Sequence, residues 1–304
     1  MAAILSGKKL RMSDITKSND YDEVRIFFPG IMDAMLDEYI KNPFPFTFAY
    51  ENNENAIRRL LQFVYEYFFE KFRRGAITNF VVCFCEDGDK LSQWRGYADN
   101  GKGCSIGFSE TELRHYVEKY SDFMTIEKVQ YITNEEINNL IILKAKNILN
   151  ELKDLAKWTI EKFKYEYKKT EKYMTFSIIQ MFNIVFMKSL KYKNKAYEEE
   201  NEWRIFFRYP IEKKTRLIYG EEEVNTLSDE MVKMLRNKID FNITSNDIVP
   251  FYPIELFGVS EKPIKEVIMG SQNKILIDDF QLFCGKYGYD DVKFKVSKIS
   301  YKGE

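Results

Sequence analysis

The feature that most restricts the fold is a long run without helix-breaking residues. From Asn134 to about Leu190 the chain contains neither glycine nor proline, and it is rich in lysine and aromatic side chains. Such a run is too long for a loop, and it predicts a mostly helical block inserted between strands. Short strands separated by helices elsewhere favour the α+β class over a regular βαβ alternation. We therefore expect a small mixed or antiparallel sheet core with a large helical insertion at about 134–190.

The remaining elements are predicted from hydrophobic periodicity. Helical spacing occurs in I-M-D-A-M-L-D-E-Y-I and again in the aromatic run A-I-R-R-L-L-Q-F-V-Y-E-Y-F-F-E-K-F. The apolar run N-F-V-V-C-F-C predicts a central strand, and I-K-E-V-I-M-G and V-K-F-K-V-S-K-I-S-Y predict later ones. The length of 304 residues allows one large domain or two smaller ones. Because no low-complexity linker interrupts the chain, we predict a single domain over residues 1–304.

Charge and cysteine content exclude several classes of function. The net charge is −1, so no global field draws the chain to nucleic acid or to an anionic membrane. There is no C-x-x-C pair, and the one histidine, His115, lies in an amphipathic helical pattern, so neither a zinc nor a disulfide framework is expected. No apolar run approaches a membrane span and the N-terminus lacks a signal-peptide core, so we expect a cytoplasmic protein without a membrane partner.

The segment Y-E-E-E-N-E-W-R-I-F-F-R (197–208) has an unusual two-faced pattern if it forms a strand. Alternation of side chains makes one face apolar, with Trp203, Ile205 and Phe207. The other face is then fully charged, with Glu200, Glu202, Arg204 and Arg208. Two interpretations remain open: a ladder of salt bridges on a solvated sheet face, or a site where two arginines keep two carboxylates ionised.

The central segment C-F-C-E-D-G-D-K-L-S-Q-W-R-G-Y-A-D-N-G-K-G-C-S-I-G-F predicts a short helix and then a turn before a strand. Asp89 is the expected cap of the helix, which carries Trp94 and Arg95. These two side chains either belong to a ligand site or are structural, with Trp94 in the core and Arg95 paired with an acid such as Asp99. The G-K-G sequence lacks the spacing of a phosphate-binding loop, so a plain turn is expected there.

Two weaker patterns suggest other partners. Glu86, Asp87 and Asp89 are able to collect a divalent ion, as in a nuclease, although acids around a glycine also form capping loops. The run K-F-K-Y-E-Y-K-K (162–169) interleaves cations with aromatic rings, as a surface that binds single-stranded nucleic acid does. An amphipathic helix flank explains the same run.

Three segments, in order, resemble a bacterial family catalogued as domain of unknown function 2971. They are the central segment, the Glu-x-Glu-Trp-Arg strand preceded by K-N-K-A-Y, and the closing I-K-E-V-I-M-G and V-S-K-I-S-Y. The order of a helix similar to A-A-I-L-S-G-K, an Asn-Asp turn at Asn19 and Asp20, and a Glu-x-Glu strand also looks like the ADP-ribosyltransferase superfamily. Its members usually open with a strand that precedes this helix, whereas the present sequence begins at the helix.

The second resemblance implies NAD as the substrate and an ADP-ribosyltransferase-like fold. It assigns to Glu202 the stabilisation of positive charge on the ribose as nicotinamide leaves, an effect worth a few kcal/mol. Glu200, one pleat away, would orient or deprotonate the acceptor. The expected NAD-binding residues combine polar, aromatic and cationic side chains: Asn19, Asp20, Ser92, Trp94, Arg95, Tyr97 and Arg204.

The resemblance also implies a macromolecular acceptor, either protein or nucleic acid, and by analogy an intracellular toxin or antiviral defence effector. We expect the Asn-Asp turn, the Trp-Arg helix and the Glu-x-Glu strand to meet in one cleft. Two alternatives stay open: a metal-dependent nuclease centred on the acids at 86–89, and a non-catalytic module that binds a nucleotide or a partner.

Overall fold

A computed structural model describes most of the chain. The described residues are 2–15, 26–44, 53–73, 79–121, 123–163, 167–208, 229–243, 247–259 and 262–301. The helices are α1 (Ala2–Gly7), α2 (Phe28–Lys41), α3 (Asn53–Arg73), α4 (Leu91–Tyr97), α5 (Glu110–Lys119), α6 (Asn134–Lys162), α7 (Tyr167–Ser189), α8 (Asp229–Lys238), α9 (Leu256–Val259) and α10 (Ile277–Lys286), with a 3₁₀ helix at Lys195–Glu200.

The strands are short and fall between these helices. They are β1 (Lys9–Asp14), β2 (Asn79–Cys85), β3 (Cys104–Phe108), β4 (Met124–Lys128), β5 (Gln130–Ile132), β6 (Tyr192–Asn194), β7 (Glu202–Arg208), β8 (Asp240–Ile243), β9 (Ile248–Glu255), β10 (Ile264–Met269) and β11 (Lys293–Val296). The predicted mixture of helices with an antiparallel sheet is therefore confirmed.

The main sheet has six strands in the order β4-β7-β2-β1-β9-β8, and its neighbouring strands pair antiparallel. β2 lies inside the sheet, as its continuous apolar run predicts, because a strand covered on both faces has little need of polar positions. Phe80 faces one side and Val81 the other, and both are packed in hydrophobic clusters. The two faces of this sheet thus support two separate cores.

One core lies between the main sheet and a second, three-stranded sheet. The second sheet has the order β11-β10-β3, with β10 parallel to β11 and antiparallel to β3. Ile205 and Phe207 of β7 are fully buried in this core, where the Phe207 ring stacks on that of Tyr252 with 4.1 Å between centroids. The apolar face predicted for this strand is confirmed, and it is the inner face of a sandwich.

The second core lies between the opposite face of the main sheet and α2, α3, α6 and α7. α6 begins at a capping box formed by Thr133 and Glu136, and its buried positions recur every three or four residues. α6 and α7 together cover 134–189 apart from a short undescribed gap, so the predicted helical block is confirmed. The block connects the parallel strands β5 and β6, as a crossover must.

The turn at G-K-G brings two backbone segments into direct contact. Gly101 has a φ of 81°, which favours glycine. A Cβ on Gly270 would lie 2.1 Å from the Gly101 carbonyl oxygen, so only glycine fits there. This approach joins the loop after α4 to the end of β10 and holds α4 against the second sheet.

Candidate functional site

A cleft opens where β1 and β2 separate. β1 pairs with β2 only at Ser13–Val81 and Asp14–Phe80, and the rest of β1 follows β9. Beyond that point β2 continues to Cys85 alongside β7. The space between the end of β2, β3 and α4 has a volume of about 460 Å³, within the range of small-molecule sites. We call this space the β2 cleft.

The walls of the β2 cleft are aromatic, with carboxylates at intervals. Its rings belong to Phe84, Trp94, Tyr97, Phe108 and Trp203, and its acids are Asp87 and three glutamates, Glu86, Glu110 and Glu266. Each glutamate has a cationic partner outside the lining: Lys128 at 2.6 Å, Arg114 at 2.7 Å and Lys295 at 2.5 Å, respectively. The fourth acid of the lining, Asp87, makes no ion pair in the described structure, and the lining contains no lysine or arginine. The walls therefore suit a flat ring better than a phosphate.

Trp203 is fixed in the cleft by a polar cluster that the sequence did not reveal. Its Nε1 donates to Glu86 at 2.8 Å, and Glu86 also accepts from Lys128 and Asn201. The hydrogen bond from Lys128, followed by that from Trp203, lowers the pKa of Glu86. The Arg114 guanidinium lies 4.7 Å from the Trp203 ring centroid. The only sequence signal for Trp203 was its place in the Glu-x-Glu-Trp-Arg motif.

Asp89 does not cap α4 as predicted. The residue before the helix is Lys90, which makes no side-chain capping bond. Asp89 instead accepts hydrogen bonds from Trp94 Nε1 at 2.8 Å, Ser297 Oγ at 2.5 Å and the Lys298 amide at 2.8 Å. Burial by itself would raise the pKa of Asp89, but these hydrogen bonds outweigh it and the pKa falls. The carboxylate thus ties Trp94 to the segment that follows β11.

Asp89→Ala should therefore lower the free energy of unfolding by about 2–3 kcal/mol, because it leaves three donors without their acceptor. Urea denaturation followed by tryptophan fluorescence measures the change. Asp291→Ala is the control, since Asp291 makes an exposed ion pair with Lys262 and its loss should cost under about 1 kcal/mol. Equal effects of the two substitutions would contradict the anchoring role of Asp89.

Of the other residues predicted to bind NAD, some line the β2 cleft and others do not. Trp94 (3% exposed) and Tyr97 (73% exposed) line the β2 cleft. Arg95 does not: its guanidinium lies over the ring of Tyr301, 5.1 Å from the centroid. Nor does Arg95 pair with Asp99, which contacts Lys102 at 3.4 Å. Ser92 is not among the residues that line the cleft. Its Oγ is buried and makes no hydrogen bond in the described structure.

Several sequence predictions lie outside the described residues. Asn19 and Asp20 fall there, as do residues 164–166 of the basic and aromatic run at 162–169. The acids at 86–89 are described, and they do not converge, because Glu86 and Asp89 are each bound to different partners. Across the described ranges, no three side chains of His, Cys, Asp or Glu are grouped to hold a metal ion. The metal site proposed for a nuclease at these acids is therefore not formed.

The charged face of β7 is buried rather than solvated. Glu202 is 4% exposed and Arg204 is 2% exposed. Arg204 donates to both carboxylate oxygens of Glu202, at 2.7 Å from Nε and 2.9 Å from Nη2, and to the Leu190 carbonyl at 2.8 Å from Nη1. The interpretation as a ladder on an open sheet face is thus wrong. A buried guanidinium engaged in this way does not reach a pyrophosphate, so the NAD-binding role predicted for Arg204 is corrected.

Glu200 is not on the strand, contrary to the predicted spacing of one pleat. It ends the 3₁₀ helix, and Asn201 then reverses the chain with a φ of 46° before β7 begins. The two glutamates meet again through Lys193, whose Nζ lies 2.6 Å from Glu200 and 3.6 Å from Glu202. We call Lys193, Glu200, Glu202 and Arg204 the buried ion network. Lys193 was not predicted, although it lies in the K-N-K-A-Y segment of the resemblance.

The buried ion network keeps Glu202 ionised. Burial alone would raise the pKa of Glu202, but the hydrogen bonds and charge of Arg204 and a hydrogen bond from Cys83 hold it below its usual range. Glu200 remains the more accessible carboxylate, since its side chain is 15% exposed. The network therefore presents one partly exposed carboxylate backed by a second, fully buried one.

The network and the β2 cleft meet at three residues that line the cleft: Cys83, Cys85 and Tyr97. Desolvation, followed by the charges of Glu202 and Glu200, raises the pKa of the Cys85 thiol to about 11. Desolvation and then the Glu200 carboxylate also raise the pKa of Tyr97. The Trp-Arg helix and the Glu-x-Glu segment thus come together through Tyr97, and not through Arg95.

The described helices include none long and apolar enough to cross a membrane.

These features define an α+β protein with an aromatic cleft bordered by a buried ion network. Residues 93–205 match the family model described as "Protein of unknown function (DUF2971)". The match supports the first resemblance drawn from the sequence, and it contains α4 from Gln93 onward and the buried ion network. No curated protein matches the chain. No solved structure matches it either.

Proposed function

We propose that the chain is an ADP-ribosyltransferase-like enzyme that cleaves NAD in the β2 cleft and transfers ADP-ribose to a macromolecule. One observation carries the proposal: two glutamates joined by Lys193, one of which Arg204 holds ionised, lie beside an aromatic cleft. Burying the three charges of Lys193, Glu202 and Arg204 costs solvation energy that apolar side chains of similar volume would not require. Such an arrangement is more typical of a functional site than of a stabilising one.

The cleft walls suit the nicotinamide end of NAD. Trp94 and Trp203 offer aromatic surface, and walls that contain acids but no lysine or arginine accept the positively charged nicotinamide ring of NAD⁺. The volume of about 460 Å³ fits part of the dinucleotide, so the remainder would lie outside the cleft.

The chemistry needs a carboxylate beside the sugar. When the bond between ribose and nicotinamide breaks, its electron pair leaves with nicotinamide and positive charge develops on the ribose. The partly exposed position of Glu200 supports it as the carboxylate that contacts the substrate. Glu202, held on both oxygens by Arg204, acts as a positioning residue that keeps Lys193 and Glu200 in place. The resemblance implies that Glu202 contacts the sugar, whereas this assignment gives that contact to Glu200.

The proposal is tested by NAD binding and turnover. We expect calorimetry to show NAD binding, chromatography to show nicotinamide release, and mass spectrometry of cellular protein and RNA to show an ADP-ribose adduct. Trp203→Leu should weaken NAD binding by about tenfold or more, since it removes a stacking surface. Trp158→Leu is the matched control, because Trp158 packs in the helical core instead. Absence of NAD binding by the unmodified chain would overturn the proposal.

A second candidate is a non-catalytic module that binds a nucleotide or a partner protein in the same cleft. It is favoured by the complete engagement of Glu202 with Arg204, which is also what a structural ion pair requires. Binding of NAD without nicotinamide release would support this candidate over the enzyme.

A further inference from the structure

The helical block carries a group of three lysines that neither the cleft nor the ion network uses. Lys144 lies on α6, Lys188 in the last turn of α7, and Lys191 directly after α7. The Lys144 ammonium lies 5.5 Å from the centroid of the Phe27 ring, and the Lys191 ammonium lies 5.5 Å from that of Tyr192. These two rings pack edge to face at 5.3 Å. One aromatic pair therefore gathers the ammonium groups of Lys144, on α6, and of Lys191, between α7 and β6.

The three lysines have no carboxylate of the described structure within ion-pair distance, which sets them apart from other lysines nearby. On the same helix, Lys146 contacts Glu38 at 4.0 Å and Lys157 contacts Asp154 at 3.9 Å. Desolvation, followed by the positive charges of Lys188 and Lys191, lowers the pKa of Lys144. Like charges brought together in this way repel, and a bound anion would relieve the repulsion.

The end of α7 explains only part of this group. The carbonyl end of a helix attracts cations within its last turn, which accounts for Lys188. Lys144 is different, because it is in the interior of α6 and is half-buried beside Phe27. Lys144 therefore adds a third positive charge, carried by a separate helix, to those of Lys188 and Lys191.

We propose that Lys144, Lys188 and Lys191 form a binding site for a phosphate-bearing ligand that carries more than one negative charge. Lysine binds phosphate as a compact point charge with three rotatable donors. The site is independent of the proposed NAD chemistry, and it lies beside the buried ion network in the chain, since Leu190 accepts from Arg204 and Lys193 follows two residues after Lys191. The phosphate belongs either to a small molecule, such as a nucleotide, or to a nucleic-acid backbone.

Thermal unfolding of the full chain tests the site with pyrophosphate as the probe. Saturating pyrophosphate should raise the Tm by about 3 °C or more over sodium chloride of equal ionic strength. Lys144→Gln should abolish most of this shift. Lys153→Gln, an exposed substitution on the same helix, should retain it. An equal shift in the parent and in Lys144→Gln, or no shift beyond that caused by chloride, would overturn the proposal.

Two further measurements identify the source of the phosphate and exclude a purely structural role. Fluorescence anisotropy with a labelled single-stranded RNA, compared between the parent and Lys144→Gln, distinguishes a nucleic acid from a nucleotide. A Lys144-dependent loss of affinity of about tenfold for RNA assigns the site to nucleic acid, whereas dependence seen only with pyrophosphate assigns it to a small ligand. If Lys188→Gln lowers the Tm without anion, and pyrophosphate has no Lys144-dependent effect, the lysines serve the end of α7 and the proposal fails.

Discussion

Arg204→Met is expected to lower the free energy of unfolding by about 3–5 kcal/mol, because it leaves the buried Glu202 carboxylate without its main partner. In the parent chain, Arg204 donates to both oxygens of Glu202. After the substitution only Lys193, at 3.6 Å, balances that charge. Urea denaturation followed by circular dichroism measures the loss.

The matched control for this prediction is Lys128→Met, which removes an exposed partner of Glu86 and should cost under about 1 kcal/mol. The double variant Glu202→Gln, Arg204→Met should recover part of the loss, because it replaces the ion pair by neutral groups of similar size. A loss no larger than that of Lys128→Met would show that the pair is solvated.

The pH dependence of the free energy of unfolding is a second test of the Glu202–Arg204 ion pair. The pKa of Glu202 is lowered on folding, so its contribution is present above the unfolded pKa and is lost as pH falls through the folded value. The unfolded chain binds the proton first, and acid therefore destabilises the fold. Glu202→Gln should flatten the dependence below about pH 4.3, the ordinary value for glutamate.

Glu200→Gln is expected to reduce nicotinamide release from NAD by a factor on the order of a hundred or more. The amide retains the shape of the side chain and an acceptor for Lys193, but it removes the charge that would face the developing cation. Stability should fall by under about 1.5 kcal/mol, because Glu200 is partly exposed and Lys193 keeps Glu202 as a partner. Turnover and urea denaturation are measured on the same preparation.

Glu199→Gln is the control for charge, since Glu199 is an exposed neighbour in the same 3₁₀ helix. Glu202→Gln should lose both turnover and stability, in keeping with a positioning residue. Retention of full turnover by Glu200→Gln would refute its contact with the substrate. If only Glu202→Gln lost turnover without loss of stability, the roles implied by the superfamily resemblance would be the correct ones.

Local pattern was enough to predict most elements of the fold. The helices α6 and α7 form because their apolar residues recur at helical spacing and no glycine or proline occurs between positions 134 and 190. The strand at Asn79–Cys85 was predicted because continuous apolar, β-favouring residues suit a strand covered on both faces. These conformational preferences involve only neighbouring residues, and the folded structure retains them because tertiary packing favours the same conformations.

The sequence pattern gave wrong predictions where the structure depended on contacts between distant segments. Alternation along β7 separated Glu202 and Arg204 from Ile205 correctly, yet a period of two cannot tell a solvated face from one beneath helices. The left-handed Asn201 moved Glu200 off the strand, and this turn has no marker in the alternating pattern. Asp89 was predicted as a helix cap, but its donors come from Ser297 and Lys298 at the far end of the chain.

The sequence by itself determined the class of fold, the helical block and the two charged residues on one face of β7, because propensity and periodicity act over a few neighbouring residues. Only the tertiary structure decided that β1 leaves β2 for β9 and so opens the cleft. It also decided that Lys193 joins the two glutamates, and that Lys144 and Lys191 lie against one aromatic pair. These placements arise from contacts between distant segments, whose free energy depends on the whole packed chain and on no local pattern.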